Sequence, residues 1–136
     1  MRIVLDTNVL LSGIFFGGRP ALVVNACAYG KVEFAVSPDI WAEYERAGRD
    51  LARKHTTPFF AQFLNLLASR ACIVRPAPLQ RQWCSDPDDD MFVACALAAD
   101  ANFIISGDKA LLALDGLLPF EIVKPADFLA RLGGGT

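Results

Sequence analysis

The side chains in this sequence able to do chemistry together are carboxylates. Asp6 ends the apolar run "RIVLD", Glu43 lies in "SPDIWAEYERA", and Asp108 follows "FIIS". The stretch "DPDDDMF" places Asp86, Asp88, Asp89 and Asp90 in five positions just before an apolar segment. Where such groups meet, like charge repels by roughly several kcal/mol per close pair at intermediate dielectric, so a positive group belongs between them. Cys27, Cys72, Cys84 and Cys95 form no CxxC pair, and the only histidine is His55, which argues against zinc and against a disulfide scaffold. Oxygen-only ligands point to a hard divalent cation, Mg²⁺ or Mn²⁺, held directly by one or two carboxylates and through water by the rest. Such an ion serves phosphoryl transfer: it lowers the pKa of a bound water and neutralises charge on phosphate oxygens, while a carboxylate accepts the proton.

The elements that must position these acids follow from apolar patterning. "RIVLD" at 2–6 suits a strand buried on both faces, and "GGRPALVVNACAYG" a loop and a helix stopped at Gly30. "EFAVS" at 33–37 reads as a second strand, followed by a helix over "PDIWAEYERAGRDLARK" whose core stripe is Ile40, Tyr44, Ala47 and Leu51. A helix at 58–69, a strand at 71–76 and the linker "APLQRQWCS" come next. After the aspartates the order is a buried helix over "MFVACALAADA", a strand in "NFIISGD", a short helix in "KALLAL", a strand in "FEIVKP" and a terminal helix in "ADFLARL". Residues 1–132 are expected to form one domain, with a flexible glycine-rich tail at 133–136.

Strands alternating with helices imply an α/β fold whose parallel sheet is covered on both faces. Ligands of such sheets bind at the carboxyl ends of the strands. Asp6, Glu43, Asp90 and Asp108 all fall near that edge, which makes them one candidate site. Helix capping is the competing explanation for "DPDDD": Asp86 as N-cap, Pro87 in the first helical position, and Asp88 and Asp89 as partners of the helix dipole. Asp86 can cap while Asp90, one turn on, points at the metal, so both roles can hold together.

At these residues the sequence resembles a PIN-domain ribonuclease, of the branch described as toxins of toxin–antitoxin pairs. The likeness rests on "LDTNVLLSG", on Glu43 in "SPDIWAEYERA", and on "DPDDDMFVACALAADANFIISGD", and it spans nearly the whole chain in order. It implies a three-layer α/β/α sandwich with about five parallel strands. It also implies a Mg²⁺- or Mn²⁺-dependent endoribonuclease that leaves a 5′-phosphate, with Asp6, Glu43, Asp90 and Asp108 as the acidic set. Asn8 and Ser106 match orienting polar positions, and Asp86 and Asp89 stand close enough to compete for the third acid's role. A homodimer and an antitoxin partner are further expectations of the resemblance.

Substrate contacts would come from Arg46, Arg49 and Arg53, which cluster on one side of the Glu43 helix, with Arg19 as a further candidate RNA contact. A solvated basic face explains them equally well. The net charge of -2 supplies no global basic field. The 54% hydrophobic composition leaves apolar material for an oligomer contact, and no uninterrupted apolar segment is long enough to span a membrane, so the chain reads as cytoplasmic.

Rival readings are weaker. A haloacid-dehalogenase-type phosphatase needs an aspartate two positions after the strand-ending one, where this chain has Asn8, and a two-component receiver needs a phosphoacceptor on a middle strand. A catalytically silent PIN-like module that binds RNA or protein is the stronger rival.

Overall fold

The computed structural model describes residues 1–55, 57 and 59–133. The chain opens with β1 (Arg2–Leu5), α1 (Thr7–Phe15), α2 (Gly18–Ala28), β2 (Glu33–Val36) and α3 (Pro38–Ala52). It continues through α4 (Phe60–Arg70), β3 (Cys72–Ile73), a 3₁₀ turn at Pro87–Asp89 and α5 (Asp90–Ala98). The last elements are β4 (Phe103–Ile105), α6 (Lys109–Leu112), β5 (Glu121–Val123) and α7 (Pro125–Gly133). The strands form one parallel sheet in the order β3-β2-β1-β4-β5, as the patterning predicts, in the α/β/α form the resemblance implies. Pro58 and the tail from 134 onward lie outside the described residues.

Ile3, Val4 and Leu5 of β1 are each fully buried, as a central strand covered on both faces requires. From β1 the chain crosses first to β2 and β3, and later to β4 and β5 on the other side. The carboxyl ends of β1 and β4 therefore border the point where the winding reverses, the preferred ligand position of an open parallel sheet.

Two elements differ from the sequence reading. Residues 7–15, to which the reading assigns no element, form α1, begun by Asp6 itself as N-cap, its carboxylate accepting the Asn8 N–H at 3.4 Å. The positive φ of Gly17 (83°) then lets the chain turn 99° from α1 into α2. The third strand is only two residues long, extended by one bond from the Val74 N–H to the Val36 carbonyl before Pro76 and Pro78 end it. Among the described residues no single helix is long and apolar enough to cross a membrane.

Helix α3 places Glu43 at the sheet edge, and its register is set by packing. Ser37 caps it through the Ile40 N–H, and Ile40, Tyr44 and Gly48 form its buried stripe, in place of the Ala47 and Leu51 expected at its far end. Position 48 is glycine because the Phe60 ring of α4 occupies the space a Cβ would need. The Tyr44 hydroxyl donates to the Leu5 carbonyl at 2.5 Å, tying α3 to β1 one residue before Asp6. Tyr44→Phe should therefore cost about 1–2 kcal/mol, because a buried carbonyl loses a donor. Urea denaturation would measure it, and an unchanged midpoint would show that this bond does not hold α3 in place.

Candidate functional site

At the carboxyl edge of β1 and β2 lies a cleft of about 760 Å³. Six carboxylates line it: Asp6, Asp39, Glu43, Asp86, Asp88 and Asp89. Thr7, Asn8 and the cation Arg46 complete its polar wall.

Asp6 is the fixed point. It is only 6% exposed, and the fully buried Ser106 at the end of β4 donates its hydroxyl to Asp6 Oδ2 at 2.7 Å. The same Ser106 oxygen accepts the Asp108 N–H at 3.0 Å, so one side chain joins the ends of β1 and β4. Burial pushes the Asp6 carboxyl above its ordinary range, Asp108 adds to the rise, and the bonds from Ser106 and Asn8 oppose it.

The aspartate run divides by direction. Asp86 caps the 3₁₀ turn by accepting the Asp88 N–H at 2.9 Å, and Asp86, Asp88 and Asp89 all line the cleft. Burial pushes Asp89 up to about 6, with Asp86, Asp108, Asp6 and Asp88 adding repulsion. Asp90 does not point where the sequence reading puts it. One position further round, its carboxylate accepts the Cys84 N–H at 2.7 Å and the Trp83 N–H at 3.1 Å, and it lines a neighbouring hollow. Asp89, with Asp86, occupies the place expected of Asp90.

Asp108 stands behind the cleft. Its carboxylate caps α6 through the Leu111 N–H at 3.4 Å, and it reaches Asp6 and Asp89 through its charge.

Glu43 lines the cleft, but Arg46 grips it with bonds of 2.7 and 2.9 Å from one guanidinium nitrogen and 3.1 Å from another, and also pairs with Asp50 at 3.3 Å. Arg53 pairs with Asp50 at 3.5 Å. The expected basic strip is thus largely matched by acids of its own helix, while Arg49 and Arg19 are exposed and line neither the cleft nor the hollow beside it. Asp39, Thr7 and Asp88 are cleft residues the sequence reading does not assign. Asp39 carries a signal that was available, an acid three residues beyond the end of a strand.

The donors are chemically suited to a hard cation: oxygen atoms only, with the Asp6 and Asp89 carboxylates raised first by burial and then by their acidic neighbours. The Thr7 hydroxyl, buried beside Asp6, has no hydrogen-bond partner among the described residues. In the same set no three acidic, histidine or cysteine side chains are already arranged to hold an ion, so Glu43 would first have to leave Arg46.

The family model for the PIN domain matches residues 2–110. The chain belongs to the PIN-domain family. Its fold is similar to that of a chain in the crystal structure of VapBC2 from Rickettsia felis bound to a DNA fragment from their promoter. The likeness has a TM-score of 0.56 at 14% identity and covers 91% of this chain and 98% of that one. Among curated proteins none matches. In this PIN domain the acids expected from the sequence reach the cleft at Asp6 and Glu43, stand behind it at Asp108, and turn away at Asp90.

Burial and crowding at Asp89 predict a pH signature. Asp89 keeps its proton to higher pH folded than unfolded, so its contribution to stability is full at low pH and lost as pH rises through about 6. Asp89→Asn should accordingly raise Tm near pH 7.5 and leave it almost unchanged near pH 4, an order-of-magnitude expectation for scanning calorimetry. Equal Tm values for both proteins at both pH values would remove Asp89 from the repelling group.

Proposed function

We propose that this PIN domain is a Mg²⁺- or Mn²⁺-dependent endoribonuclease that hydrolyses RNA phosphodiester bonds. The observation that carries this reading is the set of six carboxylates around the Ser106-anchored Asp6 at the reversal point of the sheet. Membership of the PIN family supports it. Asp6 and Asp89, with Glu43 once released from Arg46, would hold the cation, and Asp108 would add charge from behind. The cation, when bound, activates water and offsets charge on the phosphate oxygens. Ser106 keeps the Asp6 carboxylate aimed, and a cleft carboxylate takes the proton released by the attacking water.

We further propose that the chain acts as the toxin of a toxin–antitoxin pair, with an antitoxin protein as partner and a homodimer as its assembly. The fold likeness to a VapBC2 chain supports this role. The reading with a specific observation in its favour on the other side is a silent RNA- or protein-binding module. The Glu43–Arg46 pair and the absence of a ready ion-binding group among the described residues favour it.

Cleavage of a panel of labelled RNAs with Mg²⁺, with Mn²⁺ and with excess chelator, beside Asp6→Asn, separates the two. Metal-dependent cutting that the variant lacks is expected. Folded protein that binds metal and cuts nothing in the panel would turn the reading to the silent module. The same preparation tests Arg46: as an exposed pair worth little, its loss through Arg46→Ala should tighten Mn²⁺ binding by no more than about fivefold. Weaker Mn²⁺ binding in isothermal titration would mean that Arg46 orders Glu43 for the ion instead of competing with it.

A further inference from the structure

The segment between β3 and the 3₁₀ turn, a plain linker in the sequence reading, is fastened beside the acid cleft. Asp90 takes the backbone N–H groups of Trp83 and Cys84, and the Gln82 side-chain amide donates to the Cys84 carbonyl at 2.7 Å. Cys84 is buried and Trp83 packs one side of its ring against the core. The Arg81 guanidinium lies over that ring, 4.3 Å from its centre.

This arrangement sits between two hollows of about 520 Å³ each. One contains Arg81 and Asp90 and shares Asp39, Pro87 and Met91 with the acid cleft as a common wall. The other, on the Trp83 side, is walled by Pro78, Ala94 and the exposed Leu97. Two cations line the cleft and the adjoining hollow, Arg46 and Arg81. Glu43 and Asp50 match Arg46, whereas Arg81 makes no ion pair among the described residues.

A single-stranded nucleic acid presents a phosphate and a flat base at each step, and proteins hold it with a cation for the one and an aromatic face for the other. Resting on the ribonuclease reading, we propose that Arg81 and Trp83 bind one nucleotide of the single-stranded RNA flanking the scissile phosphate. The phosphate draws the Arg81 guanidinium off the ring, and the base takes the face of Trp83 that it uncovers. Asp90 is then a positioning residue that fixes the segment bearing the pair, in place of a metal ligand.

The test uses the full chain and a short single-stranded RNA. Arg81 is exposed, so Arg81→Gln should fold normally. It should raise KM by about five- to tenfold with kcat unchanged, and lower the salt slope of RNA binding by about 0.7, the share of one single-strand phosphate contact. Asp90→Asn should raise KM in the same sense, and Arg81→Lys should recover part of the loss. Binding with Mg²⁺ present, read by stopped flow before cleavage, should quench tryptophan fluorescence in the intact protein, and Trp83→Phe should abolish the quench.

RNA cleavage with an unchanged KM in Arg81→Gln and no quench on binding would overturn this subsite and leave the ribonuclease reading standing. Intact protein that neither binds nor cuts RNA would overturn both. Quenching by an acidic peptide and not by RNA would overturn the nucleotide assignment and make the segment a protein contact.

Discussion

Asp6 is a carboxylate held almost out of water at the end of the central strand, and the rest of the site is arranged around the cost of keeping it there. Ser106 and the Asn8 N–H supply its hydrogen bonds, so the ends of β1 and β4 and the start of α1 meet on one side chain. The fold also turns helix starts toward this edge. α1 follows Asp6, α3 follows Ser37, α5 follows the aspartate run and α6 follows Asp108, each beginning at the carboxyl end of the sheet. The positive ends of those helices favour carboxylates by about 0.3–1 kcal/mol apiece in exposed settings, and Asp6, Asp86 and Asp108 each cap the element they begin. Capping and crowding thus share the same residues. The helices do not offset the whole cost, since burial first and neighbouring acids second keep Asp6 and Asp89 raised.

The edge itself was legible in the sequence, because strand-ending polar residues after β-branched runs locate the carboxyl ends of a parallel sheet whatever the strand order. That rule places Asp6, Ser106 and Asp108. Direction within the aspartate run was not legible, because it depends on a local choice between 3₁₀ and α geometry. If the α-helix began at Pro87, Asp90 would lie one turn from the cap and face the cleft. A 3₁₀ turn first brings Asp89 there and sends Asp90 to the backbone of Trp83 and Cys84. Helix α1 was hidden for a different reason: "TNVLLSGIF" is apolar on most sides and runs straight on from β1, so periodicity has no polar face to detect. The pairing of Arg46 with Glu43 and Asp50 was written in its spacing, three residues one way and four the other.

A cleft walled by six acids and one matched arginine attracts cations and repels RNA. On the proposed ribonuclease reading, a phosphodiester would approach Asp6 only after a divalent ion had changed the sign of the local field, which would couple cation binding and substrate binding positively. The same repulsion acts on every phosphate that would lie along the acid wall. The strand's neighbouring phosphates therefore have to leave it within a short distance, and the groups that receive them must stand outside the cleft while remaining fixed relative to Asp6. The segment bearing Arg81 and Trp83 meets that condition, because Asp90 at the first residue of α5 holds its backbone and α5 packs directly on β1 and β4, whose ends carry Asp6 and Ser106. An aspartate turned away from the acids would then serve the proposed reaction through the rigidity it lends to the wall beside them.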